Sequence, residues 1–236
     1  AIAALEALED DPGAALLVLP ADHLIEDTGA FHQAVKQGTA LVRQNKLVTF
    51  GIVPGTPQTS YGYIKMGSMI EGTDAYHVSH FVEKPDIATA ESYLSSGNYL
   101  WNSGIFLFQA ADYLQELKKH APDIYSSCIE VFGGIKRGAD FDELPEEKFA
   151  QCRSDSIDYA VMEDTESAVV IPLDAHWNDL GAWDALWDTD SKDENGNVVS
   201  GDVLIEDVSN SYIQSNSRLV AAVGVEDVVI VEIPDA

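Results

Sequence analysis

The runs AALLVLP at residues 14–20 and LVTFGIV at residues 47–53 each have the length of a β-strand. Uninterrupted apolar runs of this length are typical of strands that are buried on both faces of a parallel sheet. Between them, residues 31–43 carry apolar side chains at helical spacing. A strand, a helix and a strand in this order predict a βαβ unit, and therefore an α/β fold.

The pattern changes twice further along the chain. Residues 59–85 contain short segments separated by glycine turns, which predicts a mixed sheet. Further predicted elements are helices at 87–94 and 110–117 and strands at 99–108 and 168–173. After a turn-forming linker, short strands follow at near-regular spacing, as in a β-solenoid or a small β module. We therefore predict a first domain over residues 1–192, built on a mixed, mostly parallel sheet, and a short-strand segment over residues 193–236.

The charge of the chain is strongly one-sided. It has 40 acidic and 13 basic residues, and a net charge of −27. This charge repels nucleic acid and anionic membrane surfaces, and a phosphorylated substrate would need Mg²⁺ or a few well-placed basic side chains. Solubility alone also explains the acidity. No apolar run approaches the length of a membrane span, and Cys128 and Cys152 show no disulfide framework or zinc spacing, so we expect a cytoplasmic protein.

Two carboxylates follow predicted strands. Asp22 comes directly after the first apolar run, and Asp179 lies in WNDLGAW at residues 177–183. In open α/β sheets, ligands bind at the carboxyl ends of the strands. Each aspartate alone is explained equally well as a turn or capping residue. Together they provide the one or two carboxylates with which proteins hold Mg²⁺ against a phosphate.

Other polar side chains suit a phosphorylated sugar. Lys84 and Glu83, in FVEKP at residues 81–85, could bind a phosphate and accept hydrogen bonds from hydroxyls, although an exposed ion pair has the same pattern. Asn102 could donate to and accept from a polyhydroxylated ring, or form an ordinary turn. Gly62, between two tyrosines, would let such a ring approach the backbone, although a packed hairpin edge has the same sequence pattern.

Several common catalytic signatures are absent from the sequence. It contains no Gly-x-Ser-x-Gly elbow, no P-loop and no dinucleotide fingerprint, and its six histidines form no triad or metal spacing. These absences disfavour acyl hydrolases, P-loop enzymes and simple dehydrogenases.

Six motifs in order resemble the mannose-1-phosphate guanylyltransferase family. They are PADH (20–23), YGYI (61–64), FVEKP (81–85), WNSGIF (101–106), SIDYAVME (156–163) and WNDLGAW (177–183). The resemblance implies a Rossmann-like nucleotidyltransferase domain, and the start of a left-handed β-helix in the segment after it. Some members of the family continue into a phosphomannose isomerase domain.

The resemblance also implies a reaction and roles for residues. A phosphate oxygen of mannose-1-phosphate would attack the α-phosphorus of GTP, giving GDP-mannose and pyrophosphate. Asp22 and Asp179 would hold Mg²⁺, and Lys84 would bind the sugar phosphate. The mannose itself would contact a further set of residues, namely Gly62, Glu83, Asn102 and Asp158. An oligomer of identical subunits is compatible with this assignment.

The chain departs from the family pattern in two places. The glycine-rich, arginine-containing loop that wraps the triphosphate is not found, so we expect an N-terminally incomplete domain that is inactive by itself. Asp164 stands where relatives have lysine, which puts a phosphate contact there in doubt. Three alternatives stay open: another hexose-1-phosphate nucleotidyltransferase using dTTP, UTP or ATP, a non-catalytic subunit that senses a sugar nucleotide, and a structural β-solenoid assembly module with an inherited pocket.

Overall fold

The computed structural model describes residues 1–82 and 84–235. The chain forms two compact units. The first consists of Ala1–Ala21 and Ile25–Trp177, and the second of Asp22–Leu24 together with the chain from Asn178 onward. The predicted boundary at residue 192 lies beyond this division and before the first short strand of the second unit, and it stays a prediction.

The elements follow one another along both units. The helices are α1 (Ile2–Asp10), α2 (Thr28–Val42), α3 (Ile87–Ser96), α4 (Ala110–His120), α5 (Pro122–Phe132), α6 (Glu146–Phe149) and α7 (Trp183–Thr189), with a π-helical turn at Asp158–Met162. The strands are β1 (Ala15–Val18), β2 (Leu24–Ile25), β3 (Leu47–Ile52), β4 (Tyr63–Met69), β5 (Tyr76–Val82), β6 (Tyr99–Gln109), β7 (Ala168–Leu173), β8 (Trp177–Asn178), β9 (Val198–Ser200), β10 (Val203–Glu206), β11 (Tyr212–Ser215), β12 (Val220–Val223) and β13 (Val229–Glu232).

The first unit is built on a six-stranded sheet with the order β1-β6-β3-β7-β5-β4. The sheet is mixed, as predicted, but the expectation that it is mostly parallel is wrong. Among the described residues, β3 and β7 are the one parallel pair of this sheet, whereas β6 runs antiparallel to β1, β3 and β4, and β5 runs antiparallel to β4 and β7. An apolar run indicates that a strand is buried, but it carries no information on the direction of its neighbours.

The first apolar run also differs from the prediction. β1 pairs only with β6 at the edge of the sheet, and Leu17, Val18 and Leu19 are between 36% and 48% exposed. β3 does have the predicted character, because all six of its residues are buried. Apolar composition shows that burial would be favourable, but the position in the sheet determines whether a strand is covered.

Helices pack on both faces of this sheet. α2 packs on Val48, Phe50 and Ile52, while α1, α4 and α5 share a second cluster with Leu47. Gly51 lies where β6 comes closest, since a Cβ there would stand 2.7 Å from the Cβ of Leu100. No larger residue fits at this position without moving the strand.

Local signals fix the helix ends nearest the predicted site. Asp86 caps the start of α3, because its carboxylate accepts a hydrogen bond from the backbone N–H of Thr89 at 2.8 Å, and Gly97, with φ of +67°, caps its end. The first residue of α3, Ile87, therefore follows Lys84 by three residues.

Short parallel strands make up most of the second unit. β11 pairs in parallel with β9 and β13, and β10 pairs in parallel with β12. The register places Val198, Tyr212 and Val229 in one row, and Val203 opposite Val220. Val208, Ile213 and Ala222 form a small buried core. The predicted series of short strands is confirmed.

Candidate active site

A pocket of about 180 Å³ in the first unit brings together three of the predicted sugar-binding residues. Gly62, Asn102 and Asp158 all line it, although they come from distant parts of the sequence. The rest of its described lining comes from β4, β5 and the π-helical region: Tyr63, Phe81, Val82, Ser156, Tyr159 and Glu163. The polar groups of this pocket suit a ligand that carries several hydroxyls.

Hydrogen bonds within the protein connect the three predicted residues. The Asn102 Nδ2 donates to Asp158 Oδ1 at 2.9 Å, and the Asn102 Oδ1 accepts from the backbone N–H of Gly104 at 3.3 Å. The backbone N–H of Asn102 donates to the carbonyl of Gly62 at 2.8 Å. Because both ends of the amide are engaged, its orientation is fixed relative to the Asp158 carboxylate.

Gly104 permits the turn that positions the Asn102 amide. It has φ of +68° inside β6, a conformation that residues with a Cβ seldom adopt. The sequence Asn-Ser-Gly was predicted to form either a sugar-binding amide or an ordinary turn. In the structure these residues lie within β6 and the Asn102 side chain lines the pocket, while its role in binding a sugar stays a prediction.

The π-helical turn places Asp158 and Glu163 on the same pocket. The backbone N–H of Glu163 donates to the carbonyl of Asp158 at 2.9 Å, which is the wide i→i+5 bond of a π-helix. Such turns often occur at functional sites. Beneath it, Ala160, Val161 and Met162 are buried in the core beside α4, which anchors the turn.

Sequence reasoning missed several lining residues as site residues. Ser156, Tyr159 and Glu163 lie within the quoted motif SIDYAVME, but only Asp158 was assigned a role. Their spacing of three and then four residues puts them on one face of a helical segment. That periodicity, combined with the position of Asp158 beside them, could have identified all three.

Of the predicted site residues Glu83 and Lys84, the structure describes Lys84 alone. Lys84 lies just after β5, is exposed, and is absent from the described lining of the pocket, although Phe81 and Val82 of the same motif belong to it. The nearby Asp86 carboxylate caps α3, and its hydrogen bonds to Thr89 lower its pKa below the ordinary value. Glu83 lies outside the described residues.

The two predicted metal ligands belong to the second unit. Asp22 and Asp179 flank the two strands β2 and β8, which pair with each other. Asp22 is exposed and Asp179 is partly buried. Within the described residues, no group of three or more histidine, cysteine, aspartate or glutamate side chains is arranged to hold a metal. Two carboxylates are nevertheless enough for Mg²⁺, which completes its shell with water and substrate oxygens.

A tight turn positions the Asp179 carboxylate. Its Oδ1 accepts from the backbone N–H of Gly181 at 3.1 Å, and Leu180 between them has φ of +50°. A Cβ on Gly181 would come within 3.0 Å of Asp179 Oδ2. The glycine in WNDLGAW therefore leaves room for the carboxylate.

An aromatic cluster lies beside the pocket residues in sequence. The Tyr61 ring contacts the rings of Trp101 and Trp177 edge to face, with centroids 5.1 Å and 5.5 Å apart. The Trp101 Nε1 is buried, and within the described residues it has no hydrogen-bond partner.

No helix in the described part of the chain has the length and apolar character needed to cross a membrane.

Comparison with known proteins identifies the class. The profile of the nucleotidyl transferase family matches residues 1–196, and the chain belongs to that family. Within it, the whole chain is 50% identical to the mannose-1-phosphate guanylyltransferase RfbM of Salmonella typhimurium and 54% identical to the xanthan biosynthesis protein XanB of Xanthomonas campestris. The family resemblance predicted from the six motifs is confirmed. The chain spans about half the length of these curated relatives.

Solved structures agree with this assignment. A Thermus thermophilus protein, described as a mannose-1-phosphate geranyltransferase, matches all of the chain and 68% of its own length, with a TM-score of 0.85 and 30% identity. A Helicobacter pylori protein described as a mannose-6-phosphate isomerase matches 74% of the chain and 68% of its own length, with a TM-score of 0.65 and 36% identity. The Rossmann-like nucleotidyltransferase fold is therefore confirmed.

Proposed function

We propose that the protein to which this chain belongs transfers a guanylyl group from GTP to mannose-1-phosphate. A phosphate oxygen of the sugar attacks the α-phosphorus of GTP, and pyrophosphate leaves. The observation that carries the proposal is the pocket in which Gly62, Asn102 and Asp158 come together. Whole-chain identity of 46–50% to proteins named mannose-1-phosphate guanylyltransferase supports it.

The pocket of the first unit is assigned to the mannose ring. Its carboxylates and amide suit hydroxyl groups, because a carboxylate accepts and an amide both donates and accepts. The hydrogen bond from Asn102 to Asp158 means that the protein holds the carboxylate in position before any ligand arrives. A preorganised group of this kind loses less entropy when the sugar binds.

Lys84 is assigned to the phosphate of the sugar. In a chain with a net charge of −27, a dianionic substrate is repelled at long range and needs a local cation. Lys84 is exposed at the end of β5, where its ammonium group is free to reach a ligand in solution. A charge-assisted hydrogen bond to phosphate then offsets the repulsion.

Mg²⁺ is assigned to Asp22 and Asp179. Their oxygen donors fit this cation, and two carboxylates leave coordination positions for water and for phosphate oxygens. When bound, the metal would neutralise charge that develops on the phosphates during transfer. We also propose that the second unit begins a β-helix, which the parallel register of β9, β11 and β13 supports.

A substrate panel tests the proposal on the whole protein. GTP, ATP, UTP and dTTP are each paired with mannose-1-phosphate or glucose-1-phosphate in the presence of Mg²⁺, and pyrophosphate release is followed. We expect the pair of GTP and mannose-1-phosphate to give the highest kcat/KM. A preference for another pair would reassign the substrate, and an absence of turnover with all eight pairs would favour a sensing subunit.

A further inference from the structure

Cys128 and Cys152 come together in the fold although they are well separated in sequence. Cys128 is buried on α5, and Cys152 packs against the same hydrophobic cluster from the segment that follows α6. Both thiols are free, and Cys152 is, after burial, among the causes that raise the pKa of Cys128. Sequence reasoning could not reveal this arrangement, because their spacing matches no disulfide or metal motif.

An ion pair holds the Cys152 segment against α5. Arg153 donates from Nε and Nη2 to both carboxylate oxygens of Asp123, at 2.7 Å and 3.2 Å, and Asp123 lies in the first turn of α5. Arg153 also pairs with Asp155. The hydrogen bonds from Arg153 lower the pKa of Asp123 to about 2, so this carboxylate is charged at any pH near neutrality. A charged clamp therefore holds the segment of Cys152 against the helix that carries Cys128.

We propose that Cys128 and Cys152 are a redox modification site, at which a peroxide or an oxidised low-molecular-weight disulfide converts the two thiols into a reversible intramolecular disulfide. This inference concerns the cysteines alone and does not depend on the proposed function. The crosslink would tie the segment after α6 to α5. Since that segment continues into Ser156 and Asp158, the crosslink would also restrain one wall of the pocket.

The chemistry with hydrogen peroxide balances in two steps. The more accessible Cys152 thiolate attacks one peroxide oxygen, which gives a sulfenic acid and, after protonation, one water. Cys128 Sγ then loses its proton and attacks Cys152 Sγ, and the departing hydroxide takes up a proton to become the second water. Two thiols and one peroxide thus give one disulfide and two waters. With oxidised glutathione, Cys152 Sγ displaces one glutathione thiolate to form a mixed disulfide, and Cys128 Sγ then displaces the second, so two thiols and one glutathione disulfide give one protein disulfide and two reduced glutathiones. Burial raises the pKa of the Cys128 thiol, which makes Cys128 the slower, second nucleophile.

Equilibration in glutathione redox buffers tests the proposal. The 236-residue chain is incubated with varied ratios of reduced and oxidised glutathione, both folded and in urea, and the fraction of disulfide is measured by mass spectrometry after acid quench and alkylation. The fold packs both cysteines in one cluster, although a loop of about 25 residues separates them in sequence. The effective concentration of one thiol toward the other should therefore be at least ~100-fold higher in the folded chain than in the chain unfolded in urea.

Single substitutions test which residues the disulfide between Cys128 and Cys152 depends on. Cys128→Ser and Cys152→Ser should each abolish the intramolecular disulfide. Arg153→Gln should lower the folded effective concentration about two- to fivefold, as expected for a partly exposed ion pair. Arg137→Gln breaks ion pairs to Glu6, Glu9 and Asp142 at a similarly exposed site that holds neither cysteine, so it should leave the effective concentration unchanged.

Two results would overturn the proposal. One is an effective concentration in the folded chain that is no higher than in urea. The other is accumulation of a mixed disulfide between Cys152 and glutathione while Cys128 keeps its free thiol, since this would mean that the folded geometry cannot close the bond.

Discussion

The pocket of the first unit and the carboxylates of the second unit differ in how the protein holds them. In the pocket, Asn102 is bonded to Asp158 through its side chain and to Gly62 through its backbone. Asp22, by contrast, is exposed, and the Asp179 side chain accepts a local hydrogen bond from Gly181. The pocket residues are thus held in place before the sugar that we propose would bind there, whereas Asp22 and Asp179 carry the charge that our proposal assigns to Mg²⁺.

From this comparison we expect the largest loss of turnover when Asp22 or Asp179 loses its charge. Asp22→Asn and Asp179→Asn should each lower turnover of the whole protein at least ~100-fold, because a neutral amide is a poor ligand for Mg²⁺ and the developing charge loses its counterion. An asparagine at 179 can still accept from the N–H of Gly181, so the melting temperature should stay unchanged. Turnover is measured as pyrophosphate release.

The exposed Asp174, which follows β7, provides a matched control for these changes. Asp174→Asn should keep wild-type turnover. Wild-type rates in Asp22→Asn or Asp179→Asn would remove that residue from the metal site.

Lys84 should show the next largest effect, and the effect should fall on one substrate. Lys84→Ala removes a charge-assisted hydrogen bond worth roughly 1.5–3 kcal/mol, which corresponds to about a ten- to hundredfold rise in KM for mannose-1-phosphate. The KM for GTP should change little. Lys65→Ala is the control, because the Lys65 ammonium lies over the Tyr99 ring at 5.7 Å. An equal rise in both KM values would place Lys84 on the nucleotide.

An exchange of Asn102 and Asp158 would test whether the pocket works as a bonded pair. Asn102→Asp puts two carboxylates in contact and Asp158→Asn removes the charge, so each should raise KM for mannose-1-phosphate about tenfold. The double variant restores a hydrogen bond between an amide and a carboxylate, and position 102 still offers an oxygen to the Gly104 N–H. We therefore expect KM to recover toward the wild-type value. Multiplied effects in the double variant would mean that the two residues contact the sugar independently.

The smallest expected effect concerns stability in acid. Glu232 accepts hydrogen bonds from the Ser217 hydroxyl and from the backbone N–H groups of Arg218, Ser217 and Asn216, and they lower its pKa from 4.5 to about 2. A lowered folded-state pKa stabilises the fold above the unfolded pKa, and this contribution is lost as the pH falls through the folded value.

Glu232→Gln should therefore lower the melting temperature by a few degrees at neutral pH. The difference from wild type should shrink between pH 4.5 and about 2 and then disappear. Thermal melts at several pH values provide the measurement, with Glu206→Gln on the exposed edge of β10 as the control. A constant difference down to pH 2 would contradict this origin of the effect.

Much of the fold could be predicted from local patterns. β3, β7 and the short strands of the second unit were identified because period and length report burial and element type. The direction of the strands could not be predicted, because the hydrophobic pattern of β6 is the same whether its neighbours run parallel or antiparallel. The exposure of β1 was also missed, since it depends on the order of strands in the sheet.

The sequence by itself identified the family and the residues Gly62, Asn102 and Asp158, because short motifs survive as contiguous stretches. Only the folded chain revealed that Asn102 holds Asp158, that a π-helical turn adds Glu163 to the pocket, and that Cys128 and Cys152 pack in one hydrophobic cluster. The physical reason is the same in each instance. These contacts join positions far apart in the chain or depend on an unusual local hydrogen bond, and neither leaves a periodic pattern in the sequence.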